Sequence, residues 1–270
     1  QNTAVGYASL ASNTTATNNT AIGYAALNSN TFGINNTAVG RSSLQINVSG
    51  GANSAFGHYS LLYNSGGSNN SAFGAGALQS NTTGNNNVAI GLNALYLNKT
   101  GASNVAVGVS ALQSNTSGSA NNAFGYRSLY ANTTGSNNSA FGHYALRDNL
   151  TNNNSAFGYQ ALRANTTGGF NSAFGTNALR YNVIGSKNTA VGIAALQSNT
   201  TNNNNAFGYK ALQNNTTGSF NSAFGTTALK YNTIGSQNTA VGYQSLITNT
   251  TGASNIAVGV NSLLSNASGS

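Results

Sequence analysis

The sequence predicts an all-β protein, a parallel β-roll or β-helix solenoid of about 16 coils with 16–17 residues in each. Three observations carry this. A five-residue phrase closed by glycine, NTAVG at Asn2–Gly6, returns in variant form until it has been written sixteen times. Its glycines, Gly6, Gly23, Gly40 and onward to Gly259, are 17 residues apart except for 16 before Gly158 and Gly208. Around each glycine the same residue types stand at the same offsets. A fixed short period over a whole chain is the signature of a solenoid and outranks local secondary-structure preference. The repeat spans 1–270, so one continuous solenoid is expected, as a segment of a longer chain or filament.

Each rung reads in order. Asn always stands four residues before the glycine, Ala two before it, and Val, Ile or Phe one before it. This piece, roughly TAVGY, alternates with period 2 and predicts a short strand. Leu follows four residues after the glycine, in a second piece, roughly ALxx, also expected to be extended. Asn closes that piece seven residues after the glycine. Ten after it stands Gly in thirteen rungs, with Ala16, Asn152 and Asn202 as exceptions, which suggests a corner of left-handed backbone. Helix is disfavoured by the Gly, Asn, Thr and Ser content. A single rung cannot bury its own Leu and Phe, so repetition builds the core. Its Leu ladder is expected to include Leu10, Leu27, Leu78, Leu162 and Leu229. Stacked amides are expected to form two structural Asn ladders, with Asn13, Asn30, Asn81 and Asn165 in one and Asn19, Asn87 and Asn171 in the other. Residues 156–205 and 206–255 align without a gap and differ at 16 of 50 positions, so this half grew by duplicating three rungs.

The phrases NVAIG (Asn87–Gly91), NVAVG (Asn104–Gly108) and NIAVG (Asn255–Gly259) resemble the head repeats of trimeric autotransporter adhesins, the YadA-like β-roll. Similar NTAxGYxAL and NTTG arrays occur in phage tail fibres and in large bacterial surface proteins with a C-terminal chaperone domain. The family's rung is shorter, near fourteen residues, and favours Val where most rungs here carry Thr or Ser. The resemblance implies a left-handed coil, a homotrimer, and an adhesive or host-binding role on the cell surface, a filament or a virion fibre.

Composition bounds the chemistry. Only 4% of residues are charged, and Pro, Cys, Met and Trp are absent. Nine Lys and Arg face one acid, Asp148, giving a net charge of +8. An electrostatic partner would therefore be anionic, with acidic glycans as candidates, but the cations are too dispersed for a nucleic-acid arm. No apolar run approaches a membrane span, so no membrane insertion is expected here. A single carboxylate excludes an acid/base pair, and Asp148 with His58 and His143 completes neither a triad nor a metal site. Calcium-binding rolls need repeated Asp in their turns, which are here Asn and Thr. No cofactor and no enzymatic activity are expected.

Five residues after the phrase glycine lies the most informative column. It carries Arg147, Arg163, Arg180 and Lys230, with Gln45, Gln79, Gln113, Gln197 and Gln213 on other rungs. Arginines on consecutive rungs cost stability unless they splay into solvent or meet an anion, so this column is a candidate ligand stripe. The alternative is a wet face kept soluble by long polar chains. Tyr7, Tyr24, Tyr126, Tyr159, Tyr209 and Tyr243 directly follow the glycine, in a column for sugar stacking or for packing between chains. Segments such as Asn81–Thr83 and Asn165–Thr167 are formal glycosylation sequons, although their corner position explains them without glycan.

The expected function is that of a non-enzymatic extracellular fibre segment, a rod and adhesin that presents repeated surface columns to host cells or surfaces. Its partners would be itself, as a homotrimer or end to end, and acidic glycans. The alternatives are a self-assembling matrix filament without a specific ligand, or an ice-binding solenoid.

Overall fold

The computed structural model describes all 270 residues and contains no helix. The chain divides into two compact units, Gln1–Asn137 and Asn138–Ser270. The first carries β1 (Thr3–Val5), β2 (Thr20–Ile22), β3 (Thr37–Val39), β4 (Ser54–Phe56), β5 (Ser71–Phe73), β6 (Val88–Ile90), β7 (Val105–Val107) and β8 (Asn122–Phe124). The second carries β9 (Ser139–Phe141), β10 (Ser155–Phe157), β11 (Ser172–Phe174), β12 (Thr189–Val191), β13 (Asn205–Phe207), β14 (Ser222–Phe224), β15 (Thr239–Val241) and β16 (Ile256–Val258). Within each unit every strand pairs in parallel with its sequence neighbours. Equivalent residues stand in register, as Ala72 does with Ala89 and Ala156 with Ala173. Each unit is thus a parallel β-solenoid of the predicted rung length.

Alternation along the strand decides what is buried. The central Ala is sealed while its two neighbours point outward, as in β5 and β11. The sequence expectation that Phe joins the core is therefore corrected. Phe56, Phe73, Phe174 and Phe224 remain 36–41% exposed on the strand face. The core is thinner and is made of strand Ala against Leu27, Leu78, Leu162 and Leu229, all at 0% exposure, with Leu10 at 9% on the first rung. Where Ser replaces the Ala that precedes the Leu, its hydroxyl bonds back to the phrase glycine, as Ser60 Oγ does to Gly57 O at 2.9 Å, except at Ser245, whose hydroxyl donates to Ala257 O at 3.0 Å.

The second expected extended piece is a turn. In every rung the Leu lies in the left-handed region, Leu78 at φ 51° and Leu229 at φ 51°, and the residue two before it does likewise. A non-glycine residue there costs about 1–2 kcal/mol, which burial of the leucine side chain, worth ~1.5–3 kcal/mol, offsets. Alternating left- and right-handed residues keep the peptide groups aimed along the stack. Asn93 N–H thus donates to Ala75 O on one side, and Leu95 N–H to Ala111 O on the other.

The corner explains the fixed Asn and Gly together. Asn81 Nδ2 donates to Asn64 Oδ1 at 2.7 Å and to Gly84 O at 2.9 Å, and Asn70 Nδ2 reaches the same carbonyl at 2.9 Å. Two Asn columns thus converge on one glycine carbonyl per rung. That glycine does not have the left-handed backbone the sequence suggested. It is required by close approach, because a Cβ on Gly84 would stand 2.5 Å from Asn81 Oδ1. In the shortened rungs the deletion precedes the corner, and Thr151 and Thr201 occupy the glycine's place. Thr151 O accepts from both Asn149 and Asn138 amides, at 2.8 and 2.7 Å. Its hydroxyl donates to Gly168 O at 2.8 Å. Strand register is undisturbed, with Ser139 opposite Ser155 and Thr189 opposite Asn205.

Candidate functional site

In the second unit the turn segments after the phrase glycine place Arg147, Arg163 and Arg180 on consecutive rungs, each half-buried. Gln197 and Gln213 continue the column, joined by an amide hydrogen bond of 3.0 Å, and Lys230 follows. The column two residues after the glycine lies beside it and holds Tyr144, Gln160, Asn177 and Lys210.

The cations are not equivalent. Arg147 is paired in a fork with Asp148, Nε to Oδ1 and Nη2 to Oδ2 both at 2.7 Å. That hydrogen bond lifts the Arg147 pKa above its ordinary value, against desolvation. The pair is about one-third exposed, so its contribution to stability is about 1 kcal/mol or less. Arg163 has no carboxylate, since Asp148 is the sole acid of the sequence and Arg147 engages it. Arg163 and Arg147 each hold a guanidinium 5.7 Å from the Tyr144 ring centre. Arg180 lies over Tyr181 at 4.9 Å. Lys230 donates to the Tyr231 hydroxyl at 3.0 Å, and this bond, with the ammonium charge, lowers the Tyr231 pKa. The structure thus aligns Arg147, Arg163 and Arg180, while two glutamine rungs separate Lys230 from them.

The sequence reading missed Gln160 and Asn177. Gln160 is 6% exposed, and its Oε1 is buried without a donor. Asn177 Oδ1 and Arg180 Nε, one rung on, are also buried and unpartnered. The signal was present, because the column two after the glycine varies in polarity as the arginine column does, but burial of that column depends on its left-handed backbone.

His58 packs on Tyr59, and His143 on Tyr144 and Tyr159. No group of three or more His, Cys, Asp or Glu side chains is placed to hold a metal ion. In the first unit Arg127 is held between Tyr126 and Tyr130, 5.2 Å from each ring.

The strand face is the second candidate surface. Its outer file holds Val, Ile or Phe on every rung, and phenylalanines on adjacent rungs stack face to face. Phe56 and Phe73 are 4.9 Å apart, and Phe141 and Phe157 are 4.7 Å apart. The other outward strand column runs Thr3, Thr20, Thr37, Ser54, Ser71, Val88, Val105 and Asn122 in the first unit, so it presents no regular threonine lattice.

The corner amides bear on the sequons. Asn165 is fully buried, and its Nδ2 donates to Asn149 Oδ1 at 2.8 Å and to Gly168 O at 2.7 Å. Asn81 is held equivalently. A glycan on either nitrogen would break these bonds and could not fit the sealed corner, so folded protein secreted from a glycosylating host is expected to carry none at Asn81 or Asn165. Peptide mapping by mass spectrometry checks this, and occupancy at either position in folded protein refutes it. Asn69, in the sequon Asn69–Ser71, is exposed and open to modification.

No known protein family matches the chain, and no curated protein matches it. No helix is long and apolar enough to cross a membrane.

Proposed function

We propose that the chain is a non-enzymatic extracellular fibre segment that associates with copies of itself along its strand face and displays its variable turn columns for attachment to host cells or surfaces. The observation that carries this reading is the uninterrupted outward file of Val, Ile and Phe. Neither outward strand column holds a charged residue on any rung. A surface that must stay solitary normally keeps its contiguous apolar patches small. At roughly 60–80 Å² exposed per side chain, eight rungs offer about 500–600 Å² in each unit. That is a large part of the ~800 Å² per partner of a stable interface and at the upper end of the largest patch found on solitary proteins, about 300–600 Å². A second solenoid of equal rung spacing buries such a file evenly. The resemblance to trimeric adhesin heads points to three chains.

Light scattering across a concentration series tests this. The expected mass is that of three chains, falling to one when Phe157→Lys and Phe174→Lys place charges in the file. Both positions face outward, so the fold is expected to survive. A single-chain mass for the unaltered protein sinks the proposal, and open-ended growth with concentration favours the matrix-filament alternative.

A further inference from the structure

We infer that the Arg163–Arg180 patch of the second unit binds an acidic polysaccharide, a linear sugar polymer bearing carboxylate or sulfate groups. The inference names the ligand class for the displayed columns of the preceding section and rests on that reading of them. It does not depend on self-association.

Two features define the patch. Arg163 and Arg180 stand on adjacent rungs, about 4.8 Å apart along the stack, and neither has a carboxylate partner. Like charges so placed favour an anion between them, and guanidinium forks grip carboxylate or sulfate through paired hydrogen bonds. Beside them lie three of the chain's six buried, unpartnered side-chain atoms: Gln160 Oε1, Asn177 Oδ1 and Arg180 Nε. Buried polar atoms normally find partners, and a cluster that lacks them marks a surface completed by something from outside.

The partner this set demands is specific. Arg180 Nε requires an acceptor, whereas the two amide oxygens require donors. Polyphosphate and a DNA backbone bring acceptors alone, but a sugar acid carries its anion and its hydroxyl donors on one ring. As the anion draws the guanidinium groups outward, the layer opens and the hydroxyls reach the amide carbonyls. Tyr159 and Tyr181, nearly half exposed at the border, are engaged by His143 and Arg180 as the Tyr144 ring is by Arg147 and Arg163, so the patch leaves no ring free to stack a base. No enclosed pocket is present, which suits an extended polymer lying along the rungs.

The test is calorimetric titration of the full chain at low salt with polygalacturonate, with polyphosphate and single-stranded DNA of matched charge as comparators. Arg163→Gln with Arg180→Gln is expected to lower the affinity for polygalacturonate at least tenfold. Glutamine already occupies this column at Gln197 and Gln213, so the fold is retained. Asp148→Asn, which releases Arg147, is expected to raise the affinity several-fold. Arg41→Gln in the first unit is expected to change nothing. The inference is overturned by absence of polygalacturonate binding, by equal affinity of the double variant, or by polyphosphate or DNA binding as tightly as the sugar acid. Light scattering on the same samples separates the two proposals, because a single-chain protein that binds the polymer retains the inference and loses self-association. A three-chain protein blind to the polymer does the reverse.

Discussion

Gly108→Ala is expected to destabilise the first unit by more than about 4 kcal/mol, into the exceptional range for single substitutions. Gly108 closes β7 at φ +132°, a conformation essentially confined to glycine, and a residue held there against its preference costs about 1–3 kcal/mol. The larger part comes from the stack. A Cβ on Gly108 would stand 2.7 Å from Gly125 O and 2.8 Å from Gly125 C, both backbone atoms of the next rung. Neither can swing aside as a side chain would, so the rungs must separate. The in-register ladder around them weakens, beginning with the 2.8 Å bond from Gly125 N–H to Val107 O. Each such bond lost to burial without replacement costs about 1–3 kcal/mol. Gly66→Ala is the control. Its added methyl would meet only Ser49 Oγ at 3.5 Å and its backbone is not left-handed, so it is expected to be neutral or stabilising by up to ~1 kcal/mol. Urea unfolding followed by circular dichroism measures both. Similar midpoints for the two variants would show that glycine at the phrase end does not set the rung spacing.

Much of this architecture was legible in the sequence, for a physical reason. A solenoid repeats one local solution, so the offsets of Asn, Ala, Gly and Leu within sixteen rungs act as an internal comparison that a single strand lacks. The rung length, the parallel class and the presence of strand and corner followed from it. The direction of individual side chains did not. Phe141 and Phe157 are apolar and periodic, which reads as core until the path of the chain shows that Ala140 and Ala156 already fill the interior. Leu146 and Leu162 are periodic and buried, yet they reach the core from left-handed turns, which propensity does not anticipate. The charged column was visible as Arg147, Arg163 and Arg180, whereas the pairing of Arg147 with Asp148 and the stranded oxygens of Gln160 and Asn177 depend on those turns.

Asn81→Asp is expected to cost several kcal/mol at neutral pH and much less in acid, although the two side chains have nearly the same shape. Asn81 is sealed from solvent and works in both directions within its column. Its amide nitrogen donates to Asn64 Oδ1 and Gly84 O, and its oxygen accepts from Asn98 Nδ2 at 2.8 Å. Ionised aspartate keeps the accepting role and loses both donations, so two oxygens would face a buried negative charge. Gly84 O retains the Asn70 amide, but Asn64 Oδ1 loses the donor that serves it. Burial and facing acceptors both disfavour the carboxylate, so its folded pKa must lie above the unfolded value of about 3.9. The sign follows by linkage. With the folded pKa raised, the folded state binds the proton more strongly, and the variant is most stable below the unfolded pKa. Protonated aspartic acid also restores one donor to the ladder. Stability is lost as pH rises from about 4 through the folded pKa, at ~1.4 kcal/mol per pH unit across that window, and then levels. Asn81→Ala removes the charge and keeps the orphaned Asn64 oxygen, so it is expected to cost about 2–4 kcal/mol with little added pH dependence. Denaturation midpoints of the three proteins between mildly acidic and neutral pH decide the matter. Parallel profiles for Asn81→Asp and Asn81→Ala would mean that the corner admits water, and that the asparagine ladder is a surface decoration instead of the buried seam that fixes the turn of each rung.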